Sequence, residues 1–558
     1  MPTIDVSLKD LNQLVGKNFT IEDLESEAIL LIKGEIDGVE GDTIKVDCKD
    51  SNRPDLWSTE GIARVLKSYY NNELGIKEYP VENTELYLHV DRTVDEVRPF
   101  IVAAVVEDLD ISEEFLKQII QIQEKVCMTF GRKRKIVAMG LYDYDKIKFP
   151  LRYKAVKPTE ASFIPLGINK ELTLKEILKT HPKGIEYKDL LKQFDRYPLV
   201  VDNDNNILSM PPIINSQYSG KVTKETKNLF IEVTGTNLED TKIALNVIVA
   251  ALADRGGKIK SVELDYGEQK IITPDFTPKK IKVKFEDIEK ITGLKLQLRD
   301  MKDILERYCY NVKKSKDALE VEYPSYRQDI LHPIDVIEDI LISYGYNKIE
   351  PEIPEIATIG NIDPLEQFCE DIRNSLVGFG AQEIINFTLT NKENQFIKMN
   401  QEERDIVEIA NPVSQKWSCI RSWIIPSLME FLETNKSQEY PQQIYELGEV
   451  LILNEKAETG SDTIKRLAWA LADKDSNYTK AKQILDFIFK ALNLEYETIE
   501  VEHPSFISGR CARIKINDIK IAYIGEINPQ VLENFGLEFP ICTFELNITE
   551  LARLKKVI

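Results

Sequence analysis

Residues 323–346 read YPSYRQDILHPIDVIEDILISYGY, and Asp329, Asp335, Glu338 and Asp339 place four carboxylates in this one short stretch. Carboxylate oxygens are the ligands that hard divalent cations select. Ile334, Val336, Ile337, Ile340 and Leu341 accompany them, and Pro333 suits a first helical turn, so the spacing predicts a helix with an apolar face to bury. On that helix Asp335, Glu338 and Asp339 gather on one side, because positions three and four apart are neighbours. Two readings stay open. The acids form a solvated face, where their mutual repulsion costs only about 0.2–0.5 kcal/mol per pair, or another surface covers them and a cation offsets their charge. Ile342 lies inside the acidic arc, an odd place for an apolar side chain on open surface.

The elements that must position such residues belong to a long chain. At 558 residues it exceeds one core, and three or four domains are expected. A formal charge of −21 argues against nonspecific nucleic-acid binding by the chain as a whole, while leaving room for a local basic patch. The seven cysteines follow no CxxC pairing, which reads as reduced thiols in a cytosolic protein, and four histidines leave little for zinc. The amino terminus, MPTIDVSLKDLNQLVG, lacks the pattern of a signal peptide. The longest apolar run, IALNVIVAALA, falls short of the ~20 residues of a membrane span. A soluble cytoplasmic protein is expected.

No internal repeat or low-complexity tract interrupts the chain. Residues 1–85 alternate helix-like and strand-like patterns: SEAILLIKGEID and DTIKVDCK read as strands, and WSTEGIARVLKSYYNNELG as a helix ending at Gly75. In SNRPDLWSTEGIARVL, the Arg53-Pro54-Asp55 turn and Ser58 or Thr59 read as the start and cap of that helix. Residues 90–270 mix strands such as KIVAMGLYDY with amphipathic helices such as TKIALNVIVAALADRGG. The join ITPDFTPKKIKV opens a third unit, residues 272–351, and EPEIPEIATIGNIDP links it to a fourth α+β unit, residues 355–558. The fold class is multidomain α+β.

The segment YPSYRQDILHPIDVIEDILISYGYNKIEP resembles the signature of the tRNA-binding fifth domain in the β subunits of phenylalanine–tRNA ligase. SNRPDLWSTEGIARVL resembles that family's N-terminal motif. FIPLG, HPKGIEY, LSMPPIINS and NLFIEVTGTN resemble its editing domain. EIANPVSQKWSCIRSWIIPSLMEFLETN, IYELGEVLI and HPSFISGRCARIKINDIKIAYIGEINPQVL resemble its catalytic-like domain. The resemblance spans nearly the whole chain, and the length resembles the shorter archaeal–eukaryotic form.

The resemblance implies an N-terminal α+β domain, an editing domain, a winged-helix-like tRNA-binding domain with a metal site, and a class II synthetase-like antiparallel-sheet domain that is not itself catalytic. It implies an α2β2 tetramer with an α subunit that, with ATP, charges tRNA(Phe) with phenylalanine. It also implies a Mg2+ ion shared with the α subunit at Asp329, Asp335, Glu338 and Asp339. In the editing domain it points to Glu232 and Thr234 as readers of a tyrosine hydroxyl, with Ser209 in the pocket wall and Asn215 close by. Two apart on a strand, Glu232 and Thr234 would project to one face. No Ser–His–Asp or Cys–His set accompanies them, so hydrolysis of tyrosyl-tRNA(Phe) would rest on a positioned water. In the last unit, a working class II site needs arginines on ATP's phosphates. Arg510 and Arg513 lack a glycine-rich motif around them and read instead as salt-bridge or interface residues. Two alternatives remain open: a free-standing tRNA-editing deacylase, and a non-enzymatic assembly subunit.

Overall fold

FIVAAVVE, residues 100–107, is apolar at nearly every position, as a strand covered on both faces requires. In the computed structural model, which describes residues 2–558, this strand lies inside an eleven-stranded mixed sheet. Its neighbours are Lys258–Asp265 and Leu229–Gly235, both antiparallel to it, and Val137–Asp143 closes that end of the sheet. Helix Leu238–Asp254 packs against these strands and is buried at every position from Ile243 to Leu252. It is therefore a core helix rather than the amphipathic one its polar ends suggested.

The chain divides into two compact units, one ending at Ile353 and the other running from Pro354 to Ile558. One apolar cluster extends from Ile4 to Ile342, so the first three expected units share a core. Buried ion pairs tie them together. Arg255 reaches Asp10 and Glu60, each at 2.6 Å, and Arg64 reaches Asp254 at 2.6 Å. Residues 1–85 contribute a small sheet in which Thr43–Cys48 lies between Thr3–Ser7 and Gly34–Glu40. The expected strand SEAILLIKGEID is helical until Ile32 and becomes extended only from Gly34, since a short apolar run fits a buried helix equally well. Helix Thr59–Asn71 starts where expected, with Ser58 Oγ accepting from Gly61 N, but stops at Asn72 in a left-handed cap instead of at Gly75.

Residues 279–344 fold as a three-stranded sheet, with Ala318–Tyr323 between Lys279–Lys284 and Asn311–Ser315, joined by helices Phe285–Thr292, Leu298–Arg307 and Pro333–Tyr344. In the second unit, seven strands form a sheet that is antiparallel except at the edge pair Gln382–Glu383 and Gln442–Leu453. Along Ser461–Ala472 the residues Leu467, Trp469 and Leu471 enter one apolar cluster, while Ala468, Ala470 and Ala472 enter another. Period-two alternation thus gives each face of the sheet its own core. No helix among the described residues is long and apolar enough to cross a membrane.

Candidate functional site

Glu232 stands opposite Ala103 on one neighbouring strand and Gly140 on the other. It shares a strand face with Thr234, and both line a cavity of about 330 Å³ in the first unit. That volume suits a small ligand. Leu116, Ile119 and Ile120 of helix Glu113–Lys125 form an apolar wall, and Pro211, Pro212 and Ile213 another. Gly140 keeps the space above Glu232 open. A Cβ there would stand 2.6 Å from Glu232 Oε1 and 2.3 Å from the Tyr142 hydroxyl oxygen.

Tyr142 donates its hydroxyl to Glu232 Oε1 at 2.8 Å, while Glu232 Oε2 is buried with no partner. Burial raises the pKa of Glu232 to about 7, against the Tyr142 hydrogen bond and the Arg98 guanidinium, which both favour the anion. Arg98 Nε donates to Thr234 Oγ1 at 2.9 Å and Arg98 Nη2 to its carbonyl at 2.6 Å. The Thr234 oxygen is therefore engaged, and its own proton is left to donate. Asn215 lines the cavity, its Oδ1 3.3 Å from the Tyr142 hydroxyl. Ser209 does not line it. It pairs with Asn215 in the hairpin register beside Tyr142, buried with its Oγ unpartnered. The wall contains no Ser, Cys or His. The arrangement is an apolar slot with one unsatisfied carboxyl oxygen, suited to recognising a polar group on an otherwise apolar ligand.

The four acids near residue 335 do not converge. Asp339 is 3% exposed, and accepts from the Tyr310 hydroxyl and, at 2.8 Å, from Arg327. Asp329 holds Arg327 through both oxygens, at 2.8 and 2.5 Å, with Arg53 Nε a further 3.7 Å away. Burial works to raise the Asp329 pKa, but the Arg327 and Arg53 guanidiniums prevail and hold it at about 2. Asp335 is the third residue of a capping box, accepting from the backbone of Leu331 and His332 at 2.8 and 2.7 Å. Glu338 is half exposed and pairs with Lys33 at 2.9 Å. As placed in this chain, the four do not fit one magnesium ion: Asp329 and Asp339 are neutralised by arginine, Asp335 gives one oxygen to a helix cap, and Glu338 pairs with Lys33. Among the described residues the one grouping of metal-competent ligand atoms within 4.8 Å is Glu35, Asp37 and Asp47, largely exposed. Ile342 is 4% exposed and belongs to the core of the first unit, so this chain itself covers that side of the helix. The Arg53-Pro54-Asp55 turn does more than start a helix, because Arg53 is buried and joins the charge network of Asp329.

A second cavity, of about 690 Å³, lies in the other unit and is lined by Arg404, Arg466, His503, Arg513 and Tyr523, among others. Arg510 pairs with Glu526 at 2.6 Å, as a salt-bridge residue should. Arg513 has no carboxylate partner and instead stacks 3.7 Å above the Tyr523 ring. Beside it and Arg404, burial lowers the His503 pKa to about 4, so this histidine is neutral at physiological pH.

Sequence reasoning missed Arg98, Tyr142 and Gly140. Arg98 meets Thr234 across 136 positions of chain, which no local pattern announces. Gly140 and Tyr142 carry a readable signal, since glycine inside a strand marks a close approach.

Residues 110–258 match the family model of the B3/4 domain, 281–346 that of the tRNA synthetase B5 domain, and 349–548 that of the phenylalanyl tRNA synthetase beta chain CLM domain. A relative from Pyrococcus abyssi named phenylalanine–tRNA ligase beta subunit is 49% identical over 550 residues, covering 98% of this chain and 99% of the relative. The protein of the same name from Methanocaldococcus jannaschii is 40% identical over 552 residues, 98% of this chain and 100% of its own length. A crystal structure of an N-terminal fragment of the phenylalanyl-tRNA synthetase beta subunit from Pyrococcus horikoshii aligns with a TM-score of 0.60 at 48% identity, over 62% of this chain and the whole fragment. On near-full-length identity and three consecutive domain matches, the chain belongs to the phenylalanine–tRNA ligase beta subunit family.

Proposed function

We propose that the chain works as the β subunit of a cytoplasmic phenylalanine–tRNA ligase, in an α2β2 complex, and that its own chemistry is hydrolysis of tyrosine mischarged onto tRNA(Phe). In this reading the α subunit holds the site that joins phenylalanine to tRNA at the expense of ATP. Residues 279–344 serve as a winged-helix-like tRNA-binding module, and the antiparallel sheet of the second unit is a class II-like scaffold. The relatives' shared name supports the subunit role. The observation that carries the hydrolytic role is the unpartnered Glu232 Oε2 in an apolar cavity.

A phenylalanine side chain entering that slot leaves Oε2 buried and unpaired, whereas the phenol of tyrosine satisfies it. An unpaired buried polar group costs about 1–3 kcal/mol, and such a difference is what lets a hydroxyl-reading site select the wrong amino acid for removal. With no Ser, Cys or His in the wall, water adds to the ester carbonyl carbon, the ester C–O bond breaks, and the ribose oxygen leaves as a hydroxyl. Free tyrosine and uncharged tRNA result.

Phenylalanine-dependent ATP–pyrophosphate exchange, run on this chain alone and then with a cognate α subunit, tests the subunit role: silence alone and exchange in the complex are expected. Exchange by the chain alone would overturn it. Hydrolysis of tyrosyl-tRNA(Phe) by the complex, and its loss on Glu232→Ala, tests the pocket.

A further inference from the structure

Beside the cavity the backbone does something found nowhere else among the described residues. Arg132, Lys133 and Arg134, three successive residues with side chains, have φ of +47°, +54° and +65°. L-residues rarely enter this region singly, and strain of this kind collects at ligand clamps. The turn is tightly held: Lys133 N donates to Met128 O, Arg134 N to Cys127 O and Ile136 N to Gly131 O, each at 2.9 Å. Gly131 anchors it, since a Cβ there would meet Val137 O at 2.3 Å.

What the turn displays is charge. Arg132, Lys133 and Lys135 are exposed, and none forms an ion pair among the described residues. Asp240 feels the field of Arg132 without pairing to it. Arg134 fixes the turn to the cavity. It donates to Pro212 O at 3.1 Å and Ile213 O at 2.8 Å, lies 4.4 Å above the Tyr187 ring, and lines the cavity itself. Lys221, also without an ion pair, lines it too. In a chain of charge −21, Arg132, Lys133 and Lys135 stand exposed and without ion pairs on either side of Arg134, which lines the cavity, and together they call for an anionic partner.

We propose that the turn 131–135 docks the phosphodiester backbone of the single-stranded 3′ end of the tRNA, holding the strand while its esterified amino acid occupies the cavity. This rests on the hydrolytic reading of that cavity. A space of about 330 Å³ takes an amino-acid side chain and not a polynucleotide, so the strand must run outside, along the rim. Phosphate contacts fix position without reading sequence, and an electropositive groove is how single strands are tracked. Binding energy gained there, remote from the reacting ester, aligns the ester for attack.

The test uses the assembled complex with Arg132→Glu/Lys133→Glu, and with the milder Arg132→Gln/Lys133→Gln. Two esters are compared: tyrosyl-tRNA(Phe), and tyrosyl-adenosine, which has no phosphodiester. The expected result is a fall of at least tenfold in kcat/KM on the tRNA, carried by KM, larger for the Glu pair than for the Gln pair. Hydrolysis of tyrosyl-adenosine stays unchanged, and the log–log salt dependence flattens by about 0.7 per lost phosphate contact. An undiminished rate on tRNA, or an equal fall on both esters, overturns the inference. If the wild-type complex hydrolyses neither ester, the hydrolytic reading itself fails. Crosslinking with tRNA carrying a photoreactive 3′-terminal nucleotide then decides alone: adducts within 131–135 support the turn, and their absence overturns it.

Discussion

Replacing Glu232 by Gln keeps the shape of the side chain and removes its ability to ionise. The wild-type carboxyl is 3% exposed, its pKa is pushed up to about 7 by burial, and an ordinary glutamate titrates near 4.5. A raised folded-state pKa means the folded protein binds the proton more tightly than the unfolded chain. Its stabilising contribution is therefore complete at low pH and is lost as pH climbs from about 4.5 towards 7. Between pH 5 and pH 8 the linkage relation gives a loss of about 2–3 kcal/mol from this one group. The Glu232→Gln variant cannot show that loss. Its amide nitrogen replaces the unpartnered oxygen, so a buried donor costs about 1–3 kcal/mol at every pH, which makes the absolute change at one pH uninformative. The difference between pH values is the clean quantity. Urea denaturation of the full chain at pH 5 and pH 8 should show the variant gaining about 2–3 kcal/mol on wild type at the higher pH. A difference that stays flat, within about 0.5 kcal/mol, would show that Glu232 is ionised in a solvated site, and the unpaired-carboxyl argument for the cavity would fall with it.

Four further outcomes follow from the same geometry. Arg327→Met leaves Asp329 and Asp339 buried without their shared cation and should cost about 3–5 kcal/mol in urea denaturation at pH 7; a loss under 1 kcal/mol would refute the network. Because the arginines hold Asp329 near pKa 2, its stabilisation should be whole above the ordinary value of 3.8, be lost progressively as pH falls from there, and be gone below about 2, which the urea midpoint followed down the acid range checks. Gly140→Ala drives a methyl into the Tyr142–Glu232 contact and should cost about 1–3 kcal/mol while closing the slot; tyrosyl-ester hydrolysis at wild-type rate would contradict the assigned ligand position. Chelation by EDTA should leave the melting temperature of the isolated chain unchanged, since its acids are already paired; a magnesium-dependent rise would show that the four carboxylates do gather on an ion.

Much of this architecture was legible where one physical rule dominates. The cap at Ser58 and the helix start at Pro333 follow from local hydrogen-bond demand, and the structure has both. The strand-and-turn residues around the cavity were legible in part: Glu232 and Thr234 share a face as their spacing requires, and Asn215 reaches the wall, whereas Ser209 does not. Periodicity fixes a face but not what stands in front of it. Ser209 and Asn215 are partners in one hairpin, and the Tyr142 side chain, arriving from another strand, stands beside Ser209.

The acidic helix shows the same limit more sharply. A helical wheel places Asp335, Glu338 and Asp339 together, yet their environments differ as much as carboxylates can: a backbone cap, a surface ion pair and a buried arginine site. The discriminating residue was Ile342. An apolar side chain inside the acidic arc means that the arc is covered, and the open question was by what. The structure answers with this chain's own residues: Lys33 beside Glu338, Tyr69 donating to Ser343 O at 3.3 Å, and Tyr310 and Arg327 on Asp339. Lys33, Tyr69 and Tyr310 come from outside the stretch 323–346, so no window around residue 335 contains them. Arg327 alone was within sight. It stands two residues before Asp329, and bound by both oxygens it converts the most conspicuous acid of the set from a candidate ligand into half of an ion pair. Wherever a cluster of acids includes a nearby arginine with bidentate reach, internal neutralisation competes with a metal ion. The fork geometry of guanidinium on carboxylate then favours the arginine unless another chain supplies the missing oxygens.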